Sequence, residues 1–171
     1  MLPNPLHPAI VHFPIVLMFL LPISAAGALW AIRRGARHTR AWAIPVAVAA
    51  ALTLSSWAAV ETGEQQEDRV EKVVADSVVE QHAESAEAFL AFTAATLVLM
   101  AAGLMRNRAG SAIRVTATVA ALGLIVAGAR VGHSGGELVY THGAAAAFAT
   151  SGSAAGGNAM RAPSRKENDE R

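Results

Sequence analysis

The chain has 171 residues and a formal net charge of +1; 53% of its residues are hydrophobic and 16% charged, with a mean hydropathy of +0.37. A soluble domain carries about 25% charged residues, and a nucleic-acid binder needs a basic face for phosphates, so both classes are disfavoured. The absence of cysteine excludes disulfides, covalent c-type haem attachment and cysteine-ligated iron–sulfur clusters.

The chain opens on LHPAIVHFPIVL, Leu6 to Leu17, with His7, Pro8, His12 and Pro14 at the mouth of an apolar run. No Lys or Arg precedes that run, so the basic n-region of a signal peptide is missing. Proline at position 14 removes the N–H that would meet the Ile10 carbonyl. Phe13–Ile32 and Ala41–Val60 are each uncharged, and Ala88–Met105 and Val115–Ala129 follow. A bilayer crossing needs about 20 apolar residues. The last run is short, and Arg114 and Arg130 at its ends are expected to snorkel. The expected fold is all-α: an integral membrane four-helix bundle over residues 1–145, with spans near 10–32, 41–60, 86–105 and 113–132. A soluble helix would need a polar side, and Ala41–Val60 offers only Thr53, Ser55 and Ser56. Pro22 and Pro45 predict kinks. Ala117/Ala121, Gly123/Ala127 and Gly128/Gly132 are small pairs that let helices approach in lipid.

Charge sets the expected orientation. Arg33, Arg34, Arg37 and Arg40 follow the first run, and Arg106, Arg108 and Arg114 follow the third, both without an acid. Those loops are expected inside. The 61–85 loop lies in the stretch Glu61–Glu87, which holds nine of the thirteen acidic residues and is expected outside, as are both termini. Trp30 and Trp42 are expected at the inner boundary and Trp57 at the outer one. Val70, Val74 and Val78, continued by His82, Ala86 and Phe89, form one face of an amphipathic helix on the outer surface before the third span. Residues 146–171 read as a disordered tail.

Six histidines are present. His38 belongs to a basic loop, whereas His7, His12, His82, His133 and His142 fall on the expected outer side. They come from the starts of the first and third spans and from GHSGGELVYTHG after the fourth. Imidazole is the commonest metal ligand. Arg130 is the only charged residue between Arg114 and Glu137, and at that depth it needs a partner, either Glu137 or a ligand carboxylate.

LHPAIVHFPIVL and GGELVYTHG together resemble the bacterial membrane family known as domain of unknown function 2231, over roughly residues 2–145. The resemblance implies a four-helix module of the bacterial inner membrane. By position its motif residues are His7, Pro8, His12, Phe13 and Pro14, then His82, then Gly135, Gly136, Glu137, Tyr140, His142 and Gly143. Related modules can occur beside redox domains such as Rieske proteins, which favours electron transfer with a redox partner protein.

Three functions follow as expectations. The first is a b-type haem held by His12 with His82 or His133, with Arg130 near a propionate and His142 close by. The second is a transition-metal site drawn from His7, His12, His82, Glu84 and Glu137. The third is a structural or accessory subunit whose histidines bond to backbone carbonyls and hold nothing. No nucleophile–base arrangement points to catalysis. Transport is disfavoured because the midplane lacks charged coupling residues.

Overall fold

A computed structural model describes residues 6–148. Helices run over His7–Ile10 (α1), His12–Arg33 (α2), His38–Val70 (α3), Asp76–Ala102 (α4) and Arg108–Tyr140 (α5). The first two form one rod broken at Val11. Pro14 has no N–H for the Ile10 carbonyl, so the chain bridges the gap with Val11 N–H donating to His7 O at 3.1 Å and Ile15 N–H to Val11 O at 3.3 Å. Four rods therefore result, each long and apolar enough to cross a membrane. They pack in sequence order, and α2 closes the ring against α5 through its sparsest seam.

The bundle is apolar on both sides. Phe13, Ile23, Leu54, Val98 and Val119 are exposed, while Leu21, Ala25, Leu52, Met100, Ala117, Ala121 and Leu124 are fully buried. Lipid gives no hydrophobic reward for burying leucine, so close packing holds the helices, and small residues permit it. Ala25, Ala49, Ala117 and Ala121 serve this at the centre. Within the apolar spans the hydroxyls of Ser24, Thr53, Ser55, Thr93, Thr116 and Thr118 donate to carbonyls one turn back. That satisfies them where no water is available. Ser56 and Thr96 are the exceptions, buried with no partner.

At the arginine-rich end, α2 stops at Gly35, whose φ of +96° suits glycine alone at low cost. Ala36 N–H then donates to Ala31 O and Gly35 N–H to Ile32 O, each at 3.0 Å, closing the helix end. Two expectations fail at this end. Trp42 does not face outward as a belt residue would: it is fully buried, and its Nε1–H donates to Met100 O at 2.8 Å. The indole fits because Gly103 faces it, where a Cβ would fall 2.4 Å from Nε1. Arg114 does not snorkel outward. It is 8% exposed and donates to Gly103 O at 2.6 Å and Met105 O at 3.4 Å, meeting the orphan carbonyls and negative dipole end of α4. Trp30 and Trp57 do face outward, and Arg34 stacks on Trp30 at 5.3 Å.

The acidic end differs from expectation too. No separate surface helix forms; α3 runs on to Val70 and α4 starts at Asp76. At 33 residues, α3 is about 50 Å long, well beyond a hydrocarbon core of about 30 Å. The two extensions pack on each other, so the valine stripe turns inward. Val74 and Val79 form a small second core with Leu138 and Ala144, and Val70 and Val78 pack against it. Gly143, at φ +74°, turns the chain so that Ala144 N–H reaches Leu138 O at 2.9 Å. Residues 146–148 thus lie on the bundle, with Arg69 over the Phe148 ring at 5.4 Å. The rest of the expected disordered tail, 149–171, lies outside the described residues.

Candidate functional site

His7 stands at the start of α1, where Pro8 is tolerated because first-turn N–H groups have no helical partner. Its Nδ1 lies 2.8 Å from Ala59 O on α3. A carbonyl can only accept, so Nδ1 carries the hydrogen and Nε2 keeps its lone pair. Thr62 Oγ1, 3.5 Å away, spends its own hydrogen on Ala58 O at 2.8 Å. His82 on α4 repeats the arrangement. Its Nδ1 lies 2.8 Å from Ser134 Oγ on α5, and Ser134 donates to Val131 O at 3.0 Å. The serine therefore accepts from the imidazole, and His82 Nε2 also keeps a lone pair. Ligating histidines are oriented in this way, by donation from the other ring nitrogen.

Two glycines make room for the rings. A Cβ at Gly63 would lie 3.3 Å from His7 Cε1, and one at Gly135 would lie 3.1 Å from His82 Cε1. Both imidazoles line two adjoining cavities and stand where these meet. The outer cavity, about 450 Å³, is walled by Val79, Leu138, Ala144 and Phe148, with Glu64 and Glu67 at its margin. The inner one, about 300 Å³, reaches down to Pro14, Met18, Ser56, Phe89 and Val131. Cofactor pockets fall in the range of about 300–1,000 Å³ and are mostly apolar with a few placed polar groups.

The other sequence candidates lie elsewhere. His12, Glu84, Arg130, His133, Glu137 and His142 are all exposed, and none lines either cavity. Glu137 pairs with His133 at 3.5 Å, one turn apart on the surface of α5, rather than with Arg130. The structure thus joins His7 to His82 and leaves out His12 and His133. Among the described residues no group of three His, Cys, Asp or Glu is placed to hold a bare metal ion.

Sequence reading passed over Ser134, Ser56 and the Ala59 carbonyl. For Ser134 a signal existed. Ala117, Ala121, Leu124 and Leu138 are the buried face of α5, and Val131 and Ser134 continue that spacing. Arg130, His133, Glu137 and Tyr140 share the opposite spacing. A period of 3.6 separates the two faces.

No curated protein and no solved structure matches the chain. The family described as "Predicted membrane protein (DUF2231)" matches over residues 3–147, nearly the whole described bundle and both histidine motifs. The chain belongs to this family of membrane proteins.

Proposed function

We propose that this membrane protein holds a b-type haem between His7 and His82 and passes electrons at that end of the bundle. The observation that carries the reading is the shared anchoring of the two rings through Nδ1 at the wall of the same cavities. Each ring has Nδ1 2.8 Å from an oxygen that can accept its hydrogen, which leaves Nε2 as the free nitrogen, and both rings line the same pair of cavities. Two protein ligands are too few for a bare zinc or copper ion, which takes three or four. They suffice for an iron that brings four equatorial nitrogens. A bound haem would supply one-electron chemistry, with His7 and His82 holding it and the apolar walls excluding water.

Arg69, stacked on Phe148, brings a cation for the propionates to a mouth that also carries Glu64 and Glu67. Those carboxylates suit a redox partner with a basic face. The arginine-rich turns at the other end support an outward-facing site by the positive-inside pattern, in a bacterial inner membrane.

A second reading has its own support. The His7–Ala59 bond ties α1 to α3 and the His82–Ser134 bond ties α4 to α5, as in a purely structural subunit. Absorption spectra of protein purified in mild detergent from haem-sufficient cells separate the two. Haem ligation predicts a Soret band with α and β bands that sharpen under dithionite. A featureless visible spectrum leaves the structural role.

A further inference from the structure

We infer that the inner cavity is a binding site for a lipid-soluble quinone, with a ring carbonyl accepting a hydrogen bond from Ser56. This goes beyond the haem reading: His7 and His82 line this cavity too, but the hydrogen bond assigned here is made by Ser56 on α3.

Ser56 is 3% exposed and its Oγ has no partner, although other hydroxyls within the spans find a carbonyl one turn back. Neighbouring Ser55 does reach a carbonyl one turn back, Leu52 O at 3.0 Å, whereas the Ser56 hydroxyl reaches none. A buried hydroxyl left without a partner is costly at this depth. Thr96 is similarly unpaired but lines neither cavity, whereas Ser56 is part of the inner cavity's wall. An acceptor arriving from the membrane would satisfy Ser56.

The remaining walls define the acceptor's class. Phe89, Met18 and Pro14 offer an aromatic face, a polarisable thioether and a flat ring edge, which suit a planar ring. All the helices contribute to the cavity wall; the sparsest seam is α2 against α5, whose Ile15 and Val139 line the cavity and are both more than 40% exposed on the apolar surface. A headgroup entering from lipid can leave its isoprenoid tail in that seam. A quinone combines the planar ring, the carbonyl acceptor and the tail.

Full-length protein in nanodiscs, prepared both haem-free and haem-supplied, is photolabelled with an azido-benzoquinone in competition with a decyl-benzoquinone. Cross-links are mapped by mass spectrometry. The expected result is saturable labelling at Met18, Phe89 or Val131 in both preparations. Ser56→Ala weakens competition about 3- to 10-fold, the value of one hydrogen bond, and Ser56→Thr restores it. Gly132 lines the cavity and a Cβ there meets nothing within 4 Å, so Gly132→Leu fills the space and abolishes labelling. Unchanged competition in Ser56→Ala, or non-saturable labelling spread over lipid-facing positions such as Phe13 and Val119, overturns the assignment and leaves the cavity to an acyl chain. Labelling only in the haem-free preparation overturns the simultaneous binding of both ligands in the two adjoining cavities. A missing haem spectrum with intact quinone labelling removes the haem reading alone.

Discussion

The two ends of this bundle solve the same problem in opposite ways. At the arginine end two large polar side chains are closed off by neighbours, Trp42 Nε1 by Met100 O and Arg114 by the carbonyls that end α4, although His38 Nε2 there has no partner. At the histidine end the partners stop one atom short. His7 and His82 are each anchored through Nδ1 in the wall of two cavities, and Ser56 has no partner at all. Closed polar groups hold a membrane bundle together, and open ones at cavity walls are where a ligand gains its contacts.

That contrast can be broken from either side. The largest expected effect is at the closed end. Trp42→Ala should cost about 3–5 kcal/mol, read as an early thermal or detergent-denaturation midpoint, while the ligand spectrum per folded molecule stays the same. A spectral change with unaltered stability would reverse the assignment of the two ends. Next comes Gly135→Val at the open end. The added side chain begins 3.1 Å from His82 Cε1, so the ring must move, and haem titration should show binding lost with the midpoint little changed. Ser134→Ala should be milder. It removes the acceptor that fixes the His82 tautomer, and such outer partners are worth about 10- to 100-fold in affinity. Equal haem affinity in Ser134→Ala would mean that this bond plays no part in ligation.

The smallest effect lies in the acidic turn. Partial desolvation, then Asp76, Glu67, Asp68 and Glu80, push the Glu71 carboxyl above the usual carboxylate range. A carboxyl raised in the fold stabilises it only while protonated. That contribution is full below the ordinary carboxylate value and is lost as pH rises through the folded one. Glu71→Gln should therefore raise the thermal midpoint slightly near neutral pH, and the difference should close in acid. A larger gap in acid than at neutral pH would contradict the sign.

The architecture was legible because bilayer length and uncharged runs leave few alternatives: Phe13–Ile32 and Ala41–Val60 have no soluble reading. The site was legible only in part. His7 and His82 stood among the candidates, but His12 and His133 drew equal attention because composition does not tell which face of a helix looks inward. On α5 the 3.6-residue period separates Ser134 from His133, and weighing that period over the motif would have favoured the serine. The Ala59 carbonyl carries no side-chain signal, so no reading of residue types could find it. Trp42 was misread for a related reason. A tryptophan near a span's end fits a membrane belt, and only the missing Cβ of Gly103, 61 positions along the chain, makes room for it inside.

The central claim is that His7 and His82, and no other histidine pair, face each other's cavity with free Nε2 atoms. Dithionite-reduced minus oxidised spectra of His7→Ala, His82→Ala, His12→Ala and His133→Ala, at matched folded protein, test it most directly. The account predicts that the low-spin α band is lost or shifted to high-spin in the first two variants and kept in the last two. Loss in His12→Ala or His133→Ala with retention in His7→Ala would contradict it.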